Sequence, residues 1–412
     1  MSTLWPLLHV DDPTLETNFR WIGQNFNKIQ QGEVTIRSGN GNDVPIPSIG
    51  KLPQGASGAQ YSLPGQVLVD AAYFYLLTGG TGDNTEVGRV NRTTGVASTV
   101  TGLATTGAST LTAMFDDGTA LWLNGSGLSG TTITVASVDK ASWTKGTTAT
   151  GIALNASDLP DKDIFVSSSR IFLVGGLNTG NFTPRLYTFS KVGGTVTSTD
   201  LSASGNSVRA YGTCFIPDIT RTSLYVPVYD QVSAAFVLKQ IDVATAAVTN
   251  TYTSTALRGM ITFSGVAVGT VLWFPCYAYV TATVGTPARY GYSLVSFNTV
   301  TGTFTQYPIA GIPGSGLGGS YSRNIVTDGT YVYLVGGCDI AGTRGFYLVR
   351  FDTVALTYKI KLIPFDMAPV SAKRADKLVI DVDGTTPLAI GAPDGAKTGS
   401  LYWLNLSQFT WN

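Results

Sequence analysis

Charge is scarce in this chain. Only 13% of its 412 residues are Asp, Glu, Lys or Arg, and the 26 basic residues balance the 26 acidic ones. That balance excludes bulk attraction to nucleic acid or anionic lipid as a basis for function. Histidine occurs once, at His9, so a Ser/His/Asp triad or a His-ligated metal cannot be assembled in the body of the chain. Three cysteines, Cys214, Cys276 and Cys338, are too few for a disulfide framework. With no Cys-x-x-Cys pair or Cys/His cluster they form no metal site, and they are expected as buried free thiols. A phosphate loop and a dinucleotide fingerprint are also missing. No run of roughly 18 apolar residues suggests a membrane span, and the first residues lack the basic start and apolar core of a secretory signal. The expectation is therefore no cofactor, no metal, no nucleic acid, no membrane insertion, and synthesis in a reducing cytoplasm. Asn-x-Ser/Thr at Asn91, Asn124, Asn155, Asn181 and Asn405 then reads as chance in a Thr-rich chain.

What is abundant points to strands. There are 48 Gly beside plentiful Thr, Ser, Val and Tyr, a composition that favours turns and pleated sheet over helix. The clearest unit is Asp328 to Tyr358. Asp328-Gly329-Thr330 predicts a tight type I′ turn, between a strand at Asn324 to Thr327 and the apolar run Tyr331 to Val335. Gly336-Gly337, a run from Phe346 to Phe351, Asp352 and a last strand from Leu356 complete a four-stranded meander.

The unit recurs. An acidic, amide or hydroxyl residue closes the third strand at Asn91, Asp139, Ser190, Asp242, Asn298, Asp352 and Asn405, a spacing of roughly 50 residues that matches kelch-type repeats. The second strand recurs as Tyr75 to Gly80, Leu121 to Gly125, Phe172 to Gly176, Tyr333 to Gly337 and Leu388 to Gly391. In Leu224 to Pro227 and Leu272 to Pro275 proline replaces the glycine, which suits a strand end but not a central ladder position. Over residues 64–412 the chain resembles the kelch and galactose-oxidase type of β-propeller, whose blades carry a double glycine after the second strand and an aromatic in the fourth. The resemblance implies an all-β, seven-bladed β-propeller, or six or eight blades if a terminal unit is incomplete. Each blade buries its faces only against its neighbours, so such an array must close into a ring.

Residues 1–31 are different. Asp11-Asp12-Pro13-Thr14 predicts a helix start, and Leu15, Phe19, Ile22, Phe26 and Ile29 recur at spacings of four and three. Two readings stand: an amphipathic helix packed on its own domain, or self-association through the seam. Residues 32–63, rich in Gly and Pro, are expected to be a connector with a short strand-like Val34 to Arg37.

For ligands, a basic residue precedes the first strand of four successive units, at Arg209, Arg258, Arg323 and Arg374. At a channel mouth these would hold carboxylate or phosphate groups, or else bond carbonyls structurally. Tyr277, Tyr279, Tyr290 and Tyr292 lie in the widest gap between repeats, on an expected long loop, as a surface for a sugar or protein or as blade packing. Asp158, Asp161 and Asp163 are the one group of acids that would serve glycoside cleavage, and turn or cap roles compete strongly with that use. No catalytic residue is assigned.

The order of parts, a seam helix, a Gly/Pro connector and a weakly charged β domain, is similar to bacteriophage tail-fibre and tail-attachment proteins. That resemblance implies a virion tail or fibre protein, a homo-trimer or higher oligomer, anchored by its N-terminal helix to other virion proteins and presenting the propeller to a host-surface glycan or protein. The alternatives are a purely structural nozzle or collar part, and a propeller glycosidase or lyase acting on host polysaccharide.

Overall fold

The computed structural model describes residues 35–37, 43–45, 48–51, 67–77, 86–103, 109–127, 132–153, 158–178, 182–193, 195–202, 214–229, 235–257, 260–262, 264–280, 289–310, 325–340, 343–364, 378–383, 386–391, 400–406 and 411. The predicted helix and its seam residues Leu15, Phe19, Ile22, Phe26 and Ile29 lie outside them.

Strands β1 (Thr35–Arg37) and β2 (Asp43–Pro45) pair as a ribbon, and β3 (Ser48–Lys51) follows. Four-stranded antiparallel sheets then succeed one another. The first is β4 (Val67–Val69), β5 (Tyr73–Leu77), β6 (Val87–Asn91) and β7 (Ala97–Val100); the second β8 (Ser109–Asp116), β9 (Ala120–Gly127), β10 (Thr132–Asp139) and β11 (Thr144–Ala153). The third is β12 (Asp158–Val166), β13 (Arg170–Asn178), β14 (Phe182–Ser190) and β15 (Thr197–Asp200); the fourth β16 (Ile216–Pro217), β17 (Ser223–Tyr229), β18 (Phe236–Asp242) and β19 (Val248–Ser254). The fifth sheet has five strands: β20 (Met260–Ile261), β21 (Val266–Val268), β22 (Val271–Val280), β23 (Arg289–Asn298) and β24 (Thr303–Pro308). β25 (Ile325–Thr327), β26 (Tyr331–Ile340), β27 (Thr343–Asp352) and β28 (Thr357–Pro364) form the sixth. The last joins β29 (Leu378–Asp383), β30 (Thr386–Gly391) and β31 (Ser400–Asn405) to β3.

The sheets close on themselves. β4 packs on β8, β8 on β12, β16 on β21, β21 on β25, β25 on β29, and β29 returns to β4. The third and fourth sheets are joined where Phe215 N–H donates to Asp163 Oδ2 at 2.8 Å. First strands thus meet around the inside of a ring, and the apolar side chains bury between sheets. Phe115, Phe165 and Phe172 share one such layer with Phe215, and Trp273, Tyr307 and Phe351 meet in another.

Seven uniform four-stranded blades were the expectation; six sheets fit that description and the fifth does not. Its irregularity traces to Pro275. β20 pairs with β22 at Tyr277 and Ala278, β21 pairs with it from Val271 to Trp273, and Pro275 falls in the gap between them. Proline has no N–H for a first-strand ladder, so the first strand is divided there. Pro227 is tolerated inside β17 for a related reason: it faces Leu238 of β18, while β16 reaches only Leu224 and Tyr225. Both prolines therefore sit within strands, not at strand ends as the sequence suggested.

Two further expectations change. β3 lies within the stretch read as a connector, yet it completes the last sheet through Ser48↔Trp403 to Lys51↔Ser400. At Asp328 the turn is not type I′: positive φ falls on Gly329 alone, at 93°, the pattern of a turn with glycine only at its first central position, since β-branched Thr330 resists that region. Leu356 belongs to the next turn, not to a strand.

Candidate functional site

Because strands alternate in direction, the ring has two ends. One carries the turns from first to second and third to fourth strands. The other carries the second-to-third and fourth-to-first connections.

At the turn end, side chains are committed to holding turns. Asp70 Oδ1 accepts the N–H groups of Ala72 and Tyr73 at 2.8 Å while its Oδ2 takes the Tyr75 hydroxyl at 2.6 Å. Asp328 does the same with Thr330, Tyr331 and the Tyr333 hydroxyl. Asp117 accepts Thr119 and Ala120 N–H, the Trp122 indole N–H at 2.8 Å, and Lys191 Nζ at 2.9 Å. One carboxylate thus closes a turn and satisfies the polar tip of a buried aromatic five residues on. Where that aromatic is Phe172, Ser167 suffices at the turn, its hydroxyl accepting Arg170 N–H. Where it is Trp273, the turn residue is Val268, and the buried indole N–H finds no acceptor among the described residues.

The residues that close the third strands cap the next turn. Asn91, Asn298 and Asp352 each accept two N–H groups of the following turn. The residue four positions on, whether Gly95, Trp143, Ala246, Gly302 or Leu356, has positive φ and donates its N–H back.

Between the first three sheets these turns are tied by charge. Lys140 Nζ bridges Asp70 Oδ2 at 2.9 Å and Asp116 Oδ2 at 2.7 Å, and Lys191 joins Asp117. Burial works against the charged form of Asp117 and Asp70, but the hydrogen bonds outweigh it: those from Lys191, Ala120 and Trp122 hold Asp117 well below the usual carboxylate range, and those from Tyr75 and Lys140 lower Asp70. Arg89 lies between the Tyr73 and Trp143 rings, at 4.3 and 4.4 Å, and Arg350 is placed likewise against Tyr331 and Trp411. None of these basic residues figured among the expected sites. Their signal was positional: Lys140 and Lys191 directly follow a third-strand marker, and Arg89 and Arg350 precede one by two.

Arg209, Arg258, Arg323 and Arg374 follow β15, β19, β24 and β28 in sequence and lie outside the described residues. The tyrosines do not lie on a loop. Tyr277 and Tyr279 are in β22 and Tyr290 and Tyr292 in β23, with Tyr277 opposite Tyr292 and Tyr279 opposite Tyr290. β24 pairs with β23 only from Ser293 onward, and β20 reaches only Tyr277 and Ala278. The strands past those points form a two-stranded extension.

The acids of the third unit are also in a strand, β12, rather than a loop. Asp163 is buried and accepts N–H from Ile164 and Phe215, a link between sheets. Asp381 of β29 plays the matching part for Val69 N–H of β4 at 2.7 Å. Among the described residues no group of three or more His, Cys, Asp or Glu is arranged to hold a metal, and no helix is long and apolar enough to cross a membrane. Cys214 and Cys276 are buried, and burial pushes the Cys276 thiol far up from its ordinary value.

Solved structures share this arrangement of sheets. Hydrazine synthase of Kuenenia stuttgartiensis matches with a TM-score of 0.56 at 12% identity, over 84% of this chain and 96% of that one. The fold is a β-propeller. A putative 6-phosphogluconolactonase from Bacteroides uniformis ATCC 8492 matches at 0.50 and 15% identity over 79% and 89%. An oligogalacturonate lyase in complex with manganese matches at 0.50 and 14% over 90% and 95%. No family model and no curated protein matches the chain. At these identities the likeness extends to the propeller alone.

Proposed function

We propose that this propeller is a non-catalytic binding protein of a virion tail or fibre, oligomeric through residues 1–31, with the loop end of the ring as its binding side. The five-stranded sheet counts in this reading as a seventh blade with a divided first strand. What carries binding over catalysis is the use of the carboxylates: Asp70, Asp117, Asp163 and Asp328 spend their oxygens on backbone N–H, aromatic tips and lysines. The binding residues in this reading are Tyr277, Tyr279, Tyr290 and Tyr292 together with Arg209, Arg258, Arg323 and Arg374, residue types suited to a host glycan or protein. The virion assignment rests on the order of parts in the sequence.

Labelled full-length chain is expected to adsorb to host cells, and a Tyr279→Ala/Tyr290→Ala variant to adsorb at least tenfold more weakly. Release of soluble oligosaccharide from purified host polysaccharide would overturn the reading in favour of a lyase or glycosidase.

A further inference from the structure

One turn of the ring keeps its donors and lacks their acceptor. In the second sheet Asp117 gathers three: Thr119 N–H at 3.0 Å, Ala120 N–H at 2.8 Å and the Trp122 indole N–H at 2.8 Å. Asp328 gathers the matching three in the sixth sheet, with the Tyr333 hydroxyl as the third. The fifth sheet reads Val268-Gly269-Thr270-Val271 at the same place, and Trp273 stands five positions after the turn residue. Its backbone turns alike, Gly269 having φ 57° where Gly118 has 96° and Gly329 93°. The corresponding donors are therefore Thr270 N–H, Val271 N–H and Trp273 Nε1–H. Among the described residues neither backbone group has a side-chain acceptor, and the indole has no acceptor at all although Trp273 is only 3% exposed. A buried donor is costly to leave unpaired. Tyr307 and Phe351 hold the Trp273 ring, with centroids at 5.6 and 5.2 Å, so the donor stays in place.

We propose that this turn is a binding site for a carboxylate brought by another molecule, an acidic side chain of a protein segment that supplies from outside what Asp117 supplies from within. The same trio of donors holds a carboxylate elsewhere in the ring, and convergent N–H groups favour an anion. The indole nitrogen is shut off from solvent, so the carboxylate must arrive on a slender arm, as in Asp or Glu. A uronate sugar bears its carboxylate directly on a broad ring and fits less well. Entry displaces little packing: Val266, Ala267 and Val268 of β21 are each half-buried, whereas the three residues of β4 in the first sheet are buried. Val268 can thus turn aside without opening the core. The site lies at the turn end of the ring and does not depend on the function proposed above for the loop end.

The test uses the full-length chain with isotope-labelled tryptophan, whose Trp273 indole N–H resonance is identified by its loss in Trp273→Phe. Acetate and a capped glutamate are expected to move that resonance downfield and to saturate, with capped glutamine inert and the Trp122 resonance, already bonded to Asp117, unmoved. Val268→Ala thins the cover over the indole and should bind at least threefold more tightly, and Val268→Asp should start downfield and no longer respond. No saturable movement in either the wild type or Val268→Ala overturns the site. The same movement in Val268→Asp, or in Trp122 as well, is a general salt effect and overturns it too. Galacturonate binding more tightly than capped glutamate overturns the acidic side chain as the ligand.

Discussion

The first three sheets and the fourth to sixth are built on one strand plan and are all packed through aromatic side chains, but among the described residues only the first three add charged ties between their turns. Around the first three, Lys140 and Lys191 reach from the residue after a third strand to the turn carboxylates of the preceding sheet. At the equivalent positions the later sheets carry Val243, Thr299 and Thr353, which leaves the aromatic packing without that tie. Phe236 stacks on Phe274 at 5.5 Å, and Phe297 meets Tyr225, Tyr252 and Phe304. The contrast teaches that the turn carboxylate answers to the aromatic tip beneath it, while the tie to the next sheet is an independent choice. Among the described residues Asp328 keeps the turn role with no lysine bonded to it.

The largest effect is expected on the aromatic side. Phe297→Ala empties a fully buried site between the fourth and fifth sheets and should cost about 4 kcal/mol in urea unfolding. On the charged side, Asp117→Ala strands the Trp122 indole and Lys191 and opens the turn, an expected loss of about 3 kcal/mol. A loss for Asp117→Ala as large as that for Phe297→Ala would erase the distinction. The two sides should also part with pH. Asp117 has its folded value depressed, so its stabilisation is fully present above the ordinary aspartate value of 3.8 and is lost as pH falls below it. Between pH 6 and 3 the wild type should therefore lose more stability than Asp117→Ala, whereas Phe297→Ala should track the wild type. The smallest effect expected is a gain. Val268→Asp recreates Asp-Gly-Thr beside Trp273 and offers its indole an acceptor, which should stabilise by about 1 kcal/mol, read as a higher urea midpoint.

Much of this was legible in residues of strong local preference. Asn91, Asp242, Asn298 and Asp352 mark third-strand ends because their side chains cap the turn that follows, a bond contained within four residues. What could not be read depended on a neighbour distant in sequence. Asp163 looks like a turn residue in an Asp- and Pro-containing stretch, and only the Phe215 N–H of the next sheet makes it a buried acceptor. Pro275 announces an interruption, but whether it ends its own strand or divides the adjacent one depends on which side needed the N–H. The tyrosines of β22 and β23 were found as a group, and their pairing came only with the register of a hairpin longer than its sheet.

The pairing of β3 with β31 also sets an order on biosynthesis. Ser48 leaves the ribosome early and waits for Trp403, so through most of translation its edge has no complement. Closing so long a loop adds little to the equilibrium cost, since the entropy grows only with the logarithm of length. The burden is kinetic: the facing sides of the first and last sheets, with Val67, Leu68 and Val69 among them, stay open until the chain is nearly finished, and an incomplete ring exposes both apolar surface and strand edge to other nascent chains.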